Sequence, residues 1–255
     1  PANLGEGCVL VSHQGLTYGG WLTPYAHFDG NDMLSLFEAW LNWCKKTGIK
    51  KIIYKAVPYI YHKIPAEEDI YALFRFQAHA KTVNLSSVVD LNNIILFNKL
   101  QKRHLKKASR LSPWIRETDN VADFMPILSE CLRARHRAVP VHSETELEML
   151  KRRFPKGIRF FLAGVASAPE AAVCIYDTNG VAHCQYIATS ESGRENGILT
   201  FLLSRLMTEM FAGNRYFDLG TSNEEAGRLL NPGLLHQKYG LGGRGTAYSI
   251  FEINV

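Results

Sequence analysis

The chain has 255 residues, a length that fits one large domain or two of modest size, and we expect two. Hydrophobic residues make up 46% of the sequence and charged residues 21%, which excludes disorder as the main state and predicts a globular protein. The net charge is +5, and no apolar run approaches the ~18 residues of a membrane-spanning helix.

The cysteines indicate the compartment. There are five, an odd number that cannot pair completely within the chain, and they are widely spaced without a CxxC motif. This pattern fits a reducing compartment and predicts a cytoplasmic protein without a disulfide scaffold or a structural zinc site. The cysteines are Cys8, Cys44, Cys131, Cys174 and Cys184.

The first part of the chain alternates strands and helices. Residues 8–12 and 51–57 are predicted strands, and between them Asn31 can cap a helix with 3.6-residue apolar periodicity. A helix beginning at Pro65 runs to about residue 78, and residues 81–91 form the next strand. The predicted order is therefore β, α, β, α, β.

A basic segment follows, with six cations and no acid in residues 99–110. Their spacing places them on one face of a helix, which we interpret as the bridge between a lobe of residues 1–112 and a lobe of residues 113–255. Such a face is commonly just solvated, but it can also receive tRNA or an anionic membrane surface. The cations are Lys99, Lys102, Arg103, Lys106, Lys107 and Arg110.

The second lobe is predicted to begin with two helices. Asn120 can cap the first, which runs to about Arg137 with a kink near Pro126, and Ser143 with Glu146 forms a capping box for the second. Three strands separated by turn residues then suggest an antiparallel meander, at residues 158–165, 171–176 and 181–188.

A polar loop at residues 190–197 opens into an amphipathic helix that ends at Gly213. A strand at residues 215–220, a helix at 224–239 broken at 231–233, and a closing strand at 246–254 complete the chain.

This succession resembles the GNAT acyltransferase fold. The stretches 183–190, 216–222 and 237–244, which read HCQYIATS, YFDLGTS and QKYGLGGR, resemble the Fem-like branch, which includes bacterial peptidoglycan aminoacyl transferases and acyl-CoA-dependent relatives. The resemblance implies an α/β (α+β) fold of two GNAT-like lobes, each a mixed, largely antiparallel sheet flanked by helices. The first lobe looks incomplete at its N-terminus.

A donor site is expected around the polar loop. Unpaired N–H groups at the start of a helix can hold a pyrophosphate, two glycines permit close approach, and Arg194 adds a positive charge. The resemblance implies that acyl-CoA lays its pantetheine along the strand ending at Ala188, while a solvated turn is the alternative. The candidate donor residues are Ala188, Ser190, Gly193, Arg194, Asn196 and Gly197.

Candidate catalytic residues lie on the strand at 181–188. Alternation places His183 and Gln185 on one face and Cys184 and Tyr186 on the other. His183 is a candidate general base, because histidine titrates near neutrality, or else a packed core residue. Cys184 is expected in the core. The resemblance places Tyr239 near the acceptor, where it could protonate a thiolate leaving group.

The acceptor is expected to meet a second group of polar side chains. Residues 135–142 concentrate cationic and titratable groups, which could bind an anionic substrate. The alternative is that they form an exposed helix end, where positive charge is favourable. The spacing of the histidines matches no zinc site. Asp218 contacts substrate or caps a helix, and the resemblance places Lys238 near the acceptor cleft. The candidates are Arg135, His136, His142, Asp218, Ser222 and Lys238.

We therefore expect an acyltransferase that moves an acyl group from acyl-CoA to an amine or hydroxyl by direct attack. The acceptor would be a small molecule or a cell-envelope component resembling a peptidoglycan precursor. The alternatives are a Fem-type transferase that uses aminoacyl-tRNA docked on the basic helix, and a non-catalytic GNAT-like ligand-binding protein.

Overall fold

A computed structural model describes residues 2–24, 27–136, 138–178 and 180–255, without the side chains of Arg135 and His136. Its helices are α1 (Gly30–Lys46), α2 (Glu68–Arg75), α3 (Lys99–Ser109), α4 (Val121–His136), α5 (Glu144–Arg153), α6 (Glu191–Asn196), α7 (Ile198–Arg205) and α8 (Pro232–Gly240). Its strands are β1 (Ala2–Gly5), β2 (Val9–Ser12), β3 (Lys51–Lys55), β4 (His79–Asp90), β5 (Trp114–Thr118), β6 (Ile158–Gly164), β7 (Ala171–Asp177), β8 (Val181–Thr189), β9 (Tyr216–Thr221), β10 (Asn223–Glu224), β11 (Leu229–Leu230) and β12 (Arg244–Asn254).

Local capping chemistry sets several helix starts. Asp29, rather than the expected Asn31, caps α1, because its carboxylate accepts the N–H groups of Asn31 and Asp32. Asn98 caps the basic helix α3 by accepting the N–H of Gln101. The predicted Ser143–Glu146 capping box is confirmed at α5.

The chain forms two compact units that differ from the predicted lobes 1–112 and 113–255. The first comprises Pro1–Ser86, Thr221–Asn231 and Thr246–Val255, and the second Ser87–Gly220 and Pro232–Gly245. The basic helix α3 therefore belongs to the second unit, because it packs on α7. The C-terminal residues return to the first unit, where residues 250–254 pair with β3.

The strands of the first unit follow the order β1-β2-β3-β12-β4. β3 is parallel to β2 and antiparallel to β12, so its Ile52 is buried between neighbours. α1 and α2 pack together beside it, and their apolar faces contribute Phe37 and Leu73 to a buried core.

The strands of the second unit follow the order β4-β9-β8-β7-β6-β5. β6, β7 and β8 form the predicted antiparallel meander, and β9 runs parallel to β8. α3 and α7 contribute to the core cluster on one face of this sheet, and α4 and α5 to the cluster on the other. The mixed, largely antiparallel sheet flanked by helices confirms the expected fold class.

Residues 190–197 and 223–230 are among the segments that differ from their predictions. The loop at residues 190–197 is the short helix α6, which Ser190 caps and Gly197 ends in a left-handed conformation with φ +75°. Residues 223–230 form a small hairpin of β10 and β11 instead of a helix, so α8 begins only at Pro232. Across the described residues, no helix combines the length and apolar character that a membrane crossing requires.

Candidate active site

The parallel pairing of β8 with β9 places His183 directly beside Asp218. The Nδ1 atom of His183 lies 2.7 Å from Oδ2 of Asp218. Asp218 is fully buried, whereas 19% of the His183 side chain is exposed. A carboxylate at Nδ1 favours the tautomer that carries its hydrogen there, which leaves Nε2 as the proton acceptor. The pair thus has the arrangement of a general base with an orienting acid.

Asp218 is itself held by the turn that follows it. Its Oδ1 atom accepts the N–H of Gly220 at 2.9 Å, so both carboxylate oxygens have protein partners. Gly220 has a φ of +78°, which a residue with a side chain rarely adopts. This turn fixes the carboxylate, and through it the imidazole ring.

Lys238 supports the same turn from α8. Its Nζ atom donates to the carbonyl of Gly220 at 2.9 Å, and the residue is only 6% exposed. Burial lowers the pKa of Lys238 to about 8, and the negative charge of the Asp218 carboxylate opposes that shift. His183, Asp218 and Lys238 therefore belong to one cluster, joined through Asp218 and Gly220.

Cys184 lies beside this cluster but does not have the character of a nucleophile. Burial raises the pKa of its thiol well above the ordinary value, and the negative charge of Asp218 adds to the effect. The side chain belongs to the core cluster that includes α7, as expected.

A β-bulge corrects the predicted alternation along β8. The pairing with β7 shifts so that Cys174 faces Tyr186 while Ile175 faces Cys184, which leaves Gln185 as the extra residue. Cys184 consequently packs in one core cluster and Tyr186 against the other, not on a common face. Gln185 forms a hydrogen bond with Tyr186 and is not part of the His183 pair.

The remaining acceptor candidates are spread over other places. His142 contacts Tyr186, with its Nδ1 2.6 Å from the hydroxyl oxygen, whereas the side chains of Arg135 and His136 lie outside the described part of the chain. Ser222 is buried in the first unit, and its hydroxyl has no hydrogen-bond partner among the described residues. The Tyr239 ring packs against the Arg244 guanidinium, 5.3 Å from its centroid.

Four of the six candidate donor residues line two neighbouring cavities, namely Ser190, Gly193, Arg194 and Gly197. One, of about 250 Å³, lies at the first turn of α7 and includes Gly193, Arg194 and Gly197 in its wall, with α3 and α8 beside it. The other, of about 350 Å³, shares Thr189 and Arg194 with the first and adds Ser190, but also Glu130 and Glu191. A phosphate-bearing donor suits the first cavity better, because carboxylates would repel it in the second.

The two glycines have a different role from the one expected. A Cβ atom on Gly193 would lie 2.3 Å from the carbonyl oxygen of Glu170, and one on Gly197 would lie 2.5 Å from that of His104. Their close approaches are thus to the protein backbone. Arg194 and the first turn of α7 remain the groups suited to a phosphate. Ala188 is buried, and Asn196 ends α6.

Sequence reasoning missed the contact between His183 and Asp218, which are 35 positions apart. Both residues were candidates, but only the parallel register of β8 and β9 brings them together. No group of three or more His, Cys, Asp or Glu side chains within the described ranges could hold a metal ion.

The comparisons with known proteins agree with this architecture. The family described as "Acetyltransferase (GNAT) domain" matches residues 99–226, half of the chain. The chain belongs to this family, and it is a GNAT-type acyltransferase. No curated protein sequence matches the chain.

Three solved structures share the fold at low sequence identity. FemX has a TM-score of 0.70 and 9% identity, over 97% of this chain and 80% of the other. The C-terminal domain of a putative lysylphosphatidylglycerol synthetase from Agrobacterium fabrum has a TM-score of 0.65 and 12% identity, over 97% and 77%. L-PGS from Bacillus licheniformis has a TM-score of 0.61 and 12% identity, over 97% and 78%.

Proposed function

We propose that the chain transfers an acyl group from acyl-CoA to an amine or hydroxyl by direct attack, with His183 as the general base. The observation that carries this proposal is the 2.7 Å contact between His183 Nδ1 and the buried carboxylate of Asp218. Such a pair can take a proton from a nucleophile as it attacks, because the carboxylate stabilises the imidazolium that forms.

The other residues of the cluster have positioning roles in this proposal. Asp218 orients the ring of His183, and Lys238 holds the Gly220 turn that in turn holds Asp218. The raised pKa of Cys184 keeps its thiol protonated, which favours direct attack over a covalent intermediate on this cysteine. Substrate contacts by Lys238, Ser222 and His142, and proton donation by Tyr239, stay predictions.

The donor would enter through the cavity at the first turn of α7. Arg194 and that turn would hold its phosphates, and the bound thioester supplies the activated acyl group. As acceptor we propose a cell-envelope component, supported by the shared fold with FemX and with a domain named for lysylphosphatidylglycerol synthesis. The proposed location is the cytoplasm.

A second candidate function uses aminoacyl-tRNA as donor. The observation that favours it is α3, whose six cations form no ion pair with a carboxylate among the described residues. A phosphate backbone would neutralise them and make binding depend on salt.

A thermal-shift panel separates the donors and finds the acceptor, because a ligand that binds the native state raises its melting temperature. The panel contains acetyl-CoA, longer acyl-CoAs, aminoacyl-tRNA, and a UDP-linked peptidoglycan precursor. Stabilisation by an acyl-CoA supports the first proposal, and stabilisation by aminoacyl-tRNA alone supports the second.

The catalytic role is tested by His183→Gln, which keeps size and hydrogen bonding but cannot accept the proton. With the donor and acceptor identified by the panel, we expect turnover to fall about 10²- to 10⁴-fold with little change in melting temperature. The exposed His79 lies in the first unit, and His79→Gln serves as the matched control. Normal turnover in His183→Gln, or a loss explained by unfolding, would contradict the proposal.

A further inference from the structure

The outer face of α3 is a continuous basic surface. Gln101 and Ala108 form its buried side, whereas all six Lys and Arg side chains of residues 99–110 are exposed. One of them, Lys107, donates to the Glu195 carbonyl at 2.8 Å. Within the described ranges none of these side chains forms an ion pair with a carboxylate, so the helix presents positive charge to solvent.

An apolar groove of about 240 Å³ runs along one flank of this helix. Its wall includes Leu105 of α3, Met207 after α7, and Phe97 from the segment that precedes α3. The rim is formed by Ile94 and Leu96, which are 50% and 74% exposed. Exposed apolar residues gathered around a groove mark a surface that contacts a partner.

The rim is held in place by backbone contacts. Before the rim, the N–H of Leu91 donates to the Arg215 carbonyl, and after it the N–H of Asn98 donates to the Gly240 carbonyl, both at 2.9 Å. Ile94 and Leu96 therefore lie in a loop that is anchored at both ends.

Lys102 joins the two features, because it belongs to the basic face of α3 and also lines the groove. We propose that the groove and the basic face of α3 together form a lipid surface that docks on an anionic phospholipid bilayer. The cations of α3 face the phosphate headgroups, Ile94 and Leu96 enter the boundary of the acyl region, and the groove accepts part of one chain.

Charge and apolar exposure together favour a bilayer over a nucleic acid. The phosphates of a bilayer and of a nucleic acid would both match the cations. Unpaired bases, however, bind by stacking on exposed aromatic rings, and the rim residues Ile94 and Leu96 are aliphatic. An anionic bilayer offers partners to both the cations and the rim, whereas a nucleic acid offers partners to the cations alone. The lipid surface does not rest on the proposed function, since it contains neither His183 nor Asp218.

The test measures partition of the full chain onto extruded vesicles by co-sedimentation. Vesicles of phosphatidylcholine alone are compared with vesicles that contain phosphatidylglycerol in equal part, at low and at raised salt. We expect binding to the anionic vesicles only, weakening with salt. Replacing Lys102, Arg103 and Lys106 by Gln should lower the partition about 100-fold, since each basic residue contributes about fivefold.

Variants of the rim separate the lipid surface from a purely electrostatic contact. Leu96→Ser should lower the partition about tenfold, whereas Leu96→Phe should retain it. Leu22→Ser, at an exposed leucine of the first unit, is the matched control and should bind as the unchanged chain does. His183→Gln should also bind normally, whatever it does to turnover.

Three results would overturn the lipid surface. The first is no binding to anionic vesicles, and the second is equal binding by Leu96→Ser and the unchanged chain. The third is that the unchanged chain binds tRNA, the triple Gln variant does not, and neither partitions onto vesicles. That result would assign α3 to a nucleic acid.

Discussion

Lys238 shows how burial sets the chemistry of a single residue. Its ammonium group donates a hydrogen bond to the Gly220 carbonyl, and its pKa falls from 10.5 to about 8 because desolvation disfavours the charge. Below pH 8 the protein thus keeps a charge in a place that penalises it. The hydrogen bond to Gly220 offsets part of this cost and holds the turn that fixes Asp218.

This pKa predicts how stability depends on pH. Between about pH 8 and pH 10.5 the unfolded chain binds the proton and the folded chain has released it, so the free energy of unfolding rises with pH. The rise from this residue reaches about 3 kcal/mol at most. Lys238→Met has no amine to titrate and so lacks this rise in the free energy of unfolding. The stability of that variant relative to the unchanged chain should therefore fall as pH is raised from 7 to 10.

Urea unfolding of both chains at each pH measures this difference, in which the contributions of all other titrating groups cancel to first order. Lys45→Met, at the exposed end of α1, is the control and should show no such trend. A relative stability of Lys238→Met that is constant with pH would contradict the buried position of the amine.

At the scale of elements, the junction between α6 and α7 depends on Gly197. This residue ends α6 with φ +75° and begins α7, and its Cα lies against the backbone of His104 in α3. A side chain here would strain the local backbone and push α3 away from α7. The glycine therefore serves the packing of two helices that both line the proposed donor cavity.

Gly197→Ala should destabilise the protein by about 2–4 kcal/mol, from left-handed strain together with overpacking against the His104 carbonyl. Gly213→Ala is the matched control, because a Cβ atom at that glycine would meet nothing within 4 Å. Chemical unfolding of both variants gives the comparison. Equal stability of the two would show that α3 moves aside without cost.

At the scale of the whole molecule, each compact unit is built from stretches that are separated in the sequence. The first unit needs residues 221–231 and 246–255 in addition to the N-terminal segment, and α3 belongs to the second unit. β3 pairs with residues 250–254 of β12 over five positions, so it has an open edge whenever the C-terminus is missing.

A fragment of residues 1–112 should therefore not fold on its own. We expect no cooperative thermal transition by circular dichroism, because β3 loses a neighbour and residues 87–112 lose the α7 surface on which α3 packs. Mixing it with a fragment of residues 113–255 is the positive control. A cooperative transition in the first fragment alone would support a lobe boundary at residue 112.

The sequence determined most of the local structure of this protein. Three features depend on residues only a few positions apart and could therefore be predicted from the sequence. They are the periodicity of α3, the capping box of α5 and the turn residues of the β6–β8 meander. The motif at residues 183–190 also pointed to the correct superfamily. What such short-range signals specify is the type of element and its approximate ends.

Tertiary structure decided the rest. The bulge at Gln185 that separates Cys184 from Tyr186 and the approach of Gly197 to α3 depend on partners distant in sequence. So do the return of residues 250–254 to β3 and the pairing of His183 with Asp218. Register between strands is set by the packing of whole faces, which no single segment encodes. The candidate site is therefore a product of strand order: the parallel β8–β9 pair brings two separate candidate residues together as the proposed base and its orienting acid.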